Sequence, residues 1–105
     1  MDVTFDGAPL AALCNSEQRL AERWGQERGR TVGRRLLDLA AVDAADLDRL
    51  PDADVSTDGD GMTRIRFGGE IVVDGVITEA DGGTRFAGDE DRMVITGVTV
   101  RGDGR

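Results

Sequence analysis

The sequence predicts an α+β domain in which an N-terminal helical hairpin packs on a mostly antiparallel β-sheet. Up to Pro51 apolar residues recur three and four apart, the helical period, and beyond it they recur two apart, the strand period. With 105 residues the chain has room for one modest core and none for a separate catalytic module, so residues 1–105 are expected to form a single domain.

Taken in order, "VTF" at Val3 to Phe5 has β propensity and is stopped by Asp6-Gly7, which makes it a short first strand. Pro9 suits the first turn of a brief helix that ends near Cys14. Asn15 and Ser16 are N-cap types, and Glu17 places a negative charge in the next helix's first turn, where the helix dipole favours it. Leu20 and Trp24 then fall four apart, and after a break at Gly25-Gln26 the set Val32, Leu36, Leu39 and Ala40 resumes helical spacing. In "DAADLDRLP", Asp43 is the expected cap, Leu47 and Leu50 face inward, and Pro51 stops the segment.

Past Pro51, "MTRIRF" sets Met62, Arg64 and Arg66 on one face and Thr63, Ile65 and Phe67 on the other. Gly68-Gly69 signals a two-residue hairpin into "EIVVDGVIT", whose run Ile71 to Val73 suits a central strand. Residues 79–92 read as a polar loop, and "MVITGVTV" from Met93 as the last strand. The core is expected to bring Leu20, Trp24, Val32, Leu36 and Leu39 against Ile65, Phe67, Ile71, Val73, Val94 and Val98.

Charge limits the function classes. All 13 basic residues are Arg, there is no Lys, His or Tyr, and 21 Asp and Glu give a net charge of −8. Seven Arg meet seven Asp and Glu between Asn15 and Leu50, whereas six Arg meet twelve between Pro51 and Arg105. The second half should therefore repel phosphate unless its arginines cluster. Such a composition fits a GC-rich genome or a high-salt cytoplasm equally well. One cysteine precludes an intrachain disulfide, no apolar run is long enough to span a bilayer, and the acidic start "MDVTFDGAP" is unlike a signal peptide. The expectation is a cytoplasmic protein away from membranes.

Several short patterns imitate sites. "DVSTDGDGM" places Asp54, Ser56 and Asp58 at alternate positions before Gly59, as a calcium loop does, but the bidentate Glu of the twelfth position is Ile65. The ordinary reading is a solvated turn. Cys14 lacks the base or cationic neighbour a nucleophilic thiol needs in a chain without histidine, and is expected to be a packing residue. Trp24 belongs to the core stripe rather than to an exposed anchor, and Arg101-Gly102-Asp103 is a chance adhesion tripeptide. Arg19, Arg23, Arg30 and Arg34 form either a basic face for nucleic acid or, as Glu22 and Glu27 interrupt them, a helix surface with intrahelical ion pairs, the reading the sequence favours.

The string Leu13-Cys14-Asn15-Ser16-Glu17, with Leu20, Trp24-Gly25, Arg35-Leu36, Leu39, Ala40-Ala41, Leu47 and Leu50-Pro51, resembles the HigB-type, proteic-killer branch of the RelE/ParE toxin superfamily over about half the chain. The resemblance implies a RelE-like fold and a toxin of a two-gene toxin–antitoxin module. Such toxins enter the ribosomal A site and cleave mRNA without a metal or cofactor, and a helix-turn-helix antitoxin neutralises them. Cleavage uses the ribose 2′-hydroxyl, so a protein must accept its proton and stabilise charge on phosphorus.

Family positions that perform this chemistry are altered here. The histidine after Leu-Pro corresponds to Ser56, the basic run to "TDGDG", and the central-strand arginine falls near Glu70, while Asp103 keeps a terminal acidic position. Residual chemistry would rest on Arg64, Arg66 and Arg101 as phosphate contacts and Asp103 as base. The resemblance thus implies a toxin homologue with weakened or lost ribonuclease activity. The competing class is a non-enzymatic module that holds or titrates an antitoxin-like partner.

Overall fold

A computed structural model describes residues 1–78 and 91–101. It is an α+β fold with element order β1 (Asp2–Phe5), α1 (Ala8–Cys14), α2 (Glu17–Trp24), α3 (Gln26–Ala40), a 3₁₀ helix (Ala44–Arg49), β2 (Ala53–Thr57), β3 (Met62–Phe67), β4 (Ile71–Thr78) and β5 (Arg92–Val100). The five strands form one mixed sheet in the order β1-β5-β4-β3-β2. β1 runs parallel to β5, and the other three pairings are antiparallel. No helix among the described residues is long and apolar enough to cross a membrane.

Local chemistry accounts for the helical half. The Ser16 side chain accepts the Arg19 N–H at 3.2 Å and starts α2. Gly25 closes α2 and opens α3 at φ 91° and ψ 159°, a conformation that is essentially glycine's alone. The α2–α3 turn brings the helices so close that a Cβ on Gly29 would lie 2.6 Å from the backbone carbon and oxygen of Leu20. Leu20, Trp24, Val32, Leu36 and Leu39 are all buried against Ile65, Phe67, Ile71 and Val73, as their spacing predicts.

Four expectations are corrected. The calcium-like stretch is not all turn: Ala53–Thr57 is an edge strand paired with β3, and the turn is confined to the residues after it. The 3₁₀ helix is capped from across the fold: Asp43 sits at the N-cap position but its side chain makes no capping hydrogen bond, and the buried Asp91 carboxylate instead accepts the Ala44 N–H at 2.8 Å. Gly68 and Gly69 do take positive φ, but the pairing of Phe67 with Ile71 makes the connection three residues long, closed by the Glu70 N–H donating to the Phe67 carbonyl.

The fourth concerns β5. Met93 and Ile95 fill the core while Val94 is 39% exposed on the outer face. Asp74 pairs with Gly97 and Gly75 with Ile95, so Thr96 is an extra residue, and this bulge reverses the alternation. Val98 and Val100 consequently return to the core side. Gly75 permits the bulge, since a Cβ there would lie 2.6 Å from the Val94 carbonyl oxygen.

Candidate functional site

The residues singled out for chemistry meet, in part, on the outer face of the sheet. Alternation along β3 turns Thr63, Ile65 and Phe67 into the core and leaves Arg64 and Arg66 exposed. Ser56 of β2 and Asp74 of β4 flank Arg64 in register, and Asp54 and Val72 flank Arg66. Ser56, Asp58, Met62, Arg64, Arg66 and Asp74 line a shallow depression of about 150 Å³.

Its electrostatics oppose a phosphate. Arg64 Nε donates to Asp74 Oδ1 at 2.8 Å. That hydrogen bond first, the Asp74 charge next and Asp58 last hold the guanidinium firmly protonated, so Arg64 is a cation already committed to a carboxylate and never a base. Asp58 also organises the turn, its Oδ1 accepting the N–H groups of Asp60 and Met62 at 2.8 and 3.0 Å. Two arginines thus share the depression with two carboxylates, with Asp54 beside them. Arg66 is the one of the pair with no ion-pair partner among the described residues.

The other predicted residues do not join. Arg101 follows β5, where its N–H donates to the Glu70 carbonyl at 2.6 Å. In register terms it lies two strands across from Arg66 and two residues along, about 12 Å away. Glu70 is in the β3–β4 connection, not on a central strand, and pairs with Arg28 at 3.6 Å. Asp103 and most of the expected polar loop, residues 79–90, lie outside the described residues. Among the described residues no group of three His, Cys, Asp or Glu is placed to hold a metal ion.

No family model, curated protein or solved structure matches the chain.

A larger feature, absent from the sequence expectations, is an open groove of about 780 Å³ bounded by β1, α1, α2 and α3. Val3, Phe5, Leu20 and Leu36 contribute apolar wall, and Arg30, Arg34 and Leu37 come from the same stripe of α3 at i, i+4 and i+7. Leu37 is 72% exposed. Among the described residues Arg19, Arg30 and Arg34 make none of the ion pairs expected of them, whereas Arg23 stacks on Trp24 at 5.2 Å and α3 carries an intrahelical pair elsewhere, Arg35 with Asp38 at 3.4 Å. The available signal was Leu37 itself: with Val32, Leu36 and Leu39 defining the core stripe, Leu37 falls about 100° round the helix from Leu36, towards the side carrying Arg30 and Arg34.

Cys14 is buried, and burial pushes its thiol up to about 11. It is a packing residue, as the sequence predicts, and not a nucleophile.

Proposed function

We propose that this protein is a RelE/HigB-like toxin homologue whose fold serves to hold a partner and whose ribonuclease chemistry is weak or absent. The observation that carries this reading is the Arg64–Asp74 pair at 2.8 Å, which occupies the cation best placed for phosphate. Around it are carboxylates and Ser56, with no histidine anywhere in the chain to accept a proton near neutral pH.

The residues behind the resemblance support the scaffold half of the proposal. Cys14, Leu20, Trp24, Leu36, Leu39 and Leu47 are core residues, and Ser16 and Gly25 set the helix boundaries. A chain selected only for that arrangement would keep these positions and lose the chemical ones. A helix-turn-helix antitoxin, or a protein of the same kind, is the partner class implied by the resemblance.

Primer extension on mRNA from cells induced to express the protein tests the reading. The expected outcome is little or no A-site cleavage and weak growth arrest beside an intact toxin of the family. General acid–base assistance is typically worth about 10²–10⁴ in rate, which positioning and arginine electrostatics alone do not replace. Strong cuts abolished by Arg66→Ala or Asp103→Ala would overturn it and establish a histidine-free nuclease.

A further inference from the structure

We infer that the groove beside α3 is a docking site for an acidic amphipathic helix of a partner protein, anchored by Arg30, Arg34 and Leu37. The inference deepens the partner-holding role proposed above and rests on it. The stripe from Arg30 to Ala40 lies along the groove and is about 15 Å long at 1.5 Å per residue, the length of nearly three helical turns. An occupant helix with apolar residues at i, i+3 or i+4, and i+7 matches that run, which is how helices seat in grooves.

Exposure and charge select the occupant. Leu37, 72% exposed, lines the same groove as Val3 and Phe5, so among the described residues the groove offers an uncovered apolar anchor point in a concave wall. Arg30 and Arg34 are exposed, one turn apart, and have no ion-pair partner among the described residues. Against them the groove lining carries a single acid, Glu17. Locally the groove is cationic, although the whole chain carries −8.

At physiological salt the Debye length is about 8 Å, so the distant acidic residues are largely screened while ion pairs formed in contact are not. Carboxylates flanking the apolar ridge of a partner helix would therefore gain the two arginines without meeting the full repulsion of the chain. Arginine is also the charged residue most enriched at the energetic centres of interfaces.

The test uses the whole protein and a fluorescent synthetic helix of about 20 residues, above the length at which isolated helices are marginal in water, with Leu at the groove-facing positions and Glu flanking them. A twin carries Lys in place of Glu. Expected results are binding of the Glu helix by fluorescence anisotropy, at least a tenfold loss with Arg30→Glu/Arg34→Glu, a gain for the Lys twin on that same variant, and loss of both helices with Leu37→Ser. These three side chains are exposed, so the variants should fold, which far-UV circular dichroism checks. Absence of binding by the Glu helix, equal binding of the two helices, or indifference to the arginine reversal would overturn the inference. Sedimentation showing that the wild type self-associates through Leu37 would overturn it in favour of a second copy. Strong mRNA cleavage would instead remove the partner-holding reading while leaving the peptide measurements standing, which separates the two failures.

Discussion

At Arg64 the side chain has already chosen an anion, and the consequence can be measured by removing that choice. Asp74→Asn keeps the shape and removes the charge that competes with phosphate. Affinity for a single-stranded oligoribonucleotide at low salt should rise, with the dependence of log K on log salt steepening by about 0.7 for one added phosphate contact. Arg64→Ala in the same background should reverse the gain, and unchanged binding in Asp74→Asn would show that Asp74 is not what withholds Arg64. Cys14 gives a second prediction at this scale. Its folded pKa of about 11 stands above the ordinary 9.0, so both states are protonated below pH 9 and stability does not depend on this group there. Above that the unfolded thiol ionises first, and stability should fall by about 1.4 kcal/mol per pH unit until pH 11. The chain has no Lys or Tyr side chain, and in chemical denaturation at pH 8, 9, 10 and 11 the difference between the wild type and Cys14→Ala isolates the share of the thiol.

The α2–α3 hairpin depends on two glycines for different reasons. Gly25 supplies a backbone conformation other residues avoid, so Gly25→Ala should cost about 1–3 kcal/mol. Gly29 supplies space, and a methyl group 2.6 Å from the Leu20 backbone has no flexible neighbour to push aside, so Gly29→Ala should cost about as much through overpacking. Urea unfolding of both variants checks this, and a neutral Gly29→Ala would mean that the helices separate easily. These elements were legible because their signals are local: a four-residue stripe, a serine cap and a glycine break lie within a few residues of what they determine. β2 was harder to see, since Asp54 and Ser56 are poor strand formers and only Ala53 and Val55 alternate inward; pairing with β3 makes it a strand. Val94 was misplaced because Thr96 inserts an extra residue into β5, a register event fixed by β4 and invisible in the alternation of β5 alone. The candidate site was legible as residue types on one face, Arg64 and Arg66, but not as chemistry, because the Asp74 that neutralises Arg64 is ten residues away and reaches it only through cross-strand pairing.

Among the described residues the helices cover one face of the sheet, and the other carries an outer row of Met62, Val76 and Val94 beside the Arg64–Asp74 pair. Any approach to a ribosome would bring a chain of charge −8, with most of its excess acid after Pro51, against a polyanion. Long-range repulsion of that kind is removed by salt: the Debye length falls from about 10 Å at 0.1 M to about 3 Å at 1 M. If acidity alone kept the protein off RNA, molar KCl would restore association. Close pairing tells against this, because the carboxylate on Arg64 sits 2.8 Å away and competes with phosphate for the same exposed guanidinium, and molar salt weakens both of those contacts together. High salt also weakens whatever attraction Arg66 offers, since binding to phosphate falls as salt rises. Co-sedimentation with ribosomes should therefore be undetectable at both 0.1 M and 1 M KCl. Association that appears only at molar salt would show that long-range repulsion by the acidic surface is the block, with a working nucleic-acid surface beneath it. Asp74→Asn separates the contributions further: a gain in this variant at low salt, with none from salt in the wild type, would place the block in one ion pair and not in the net charge.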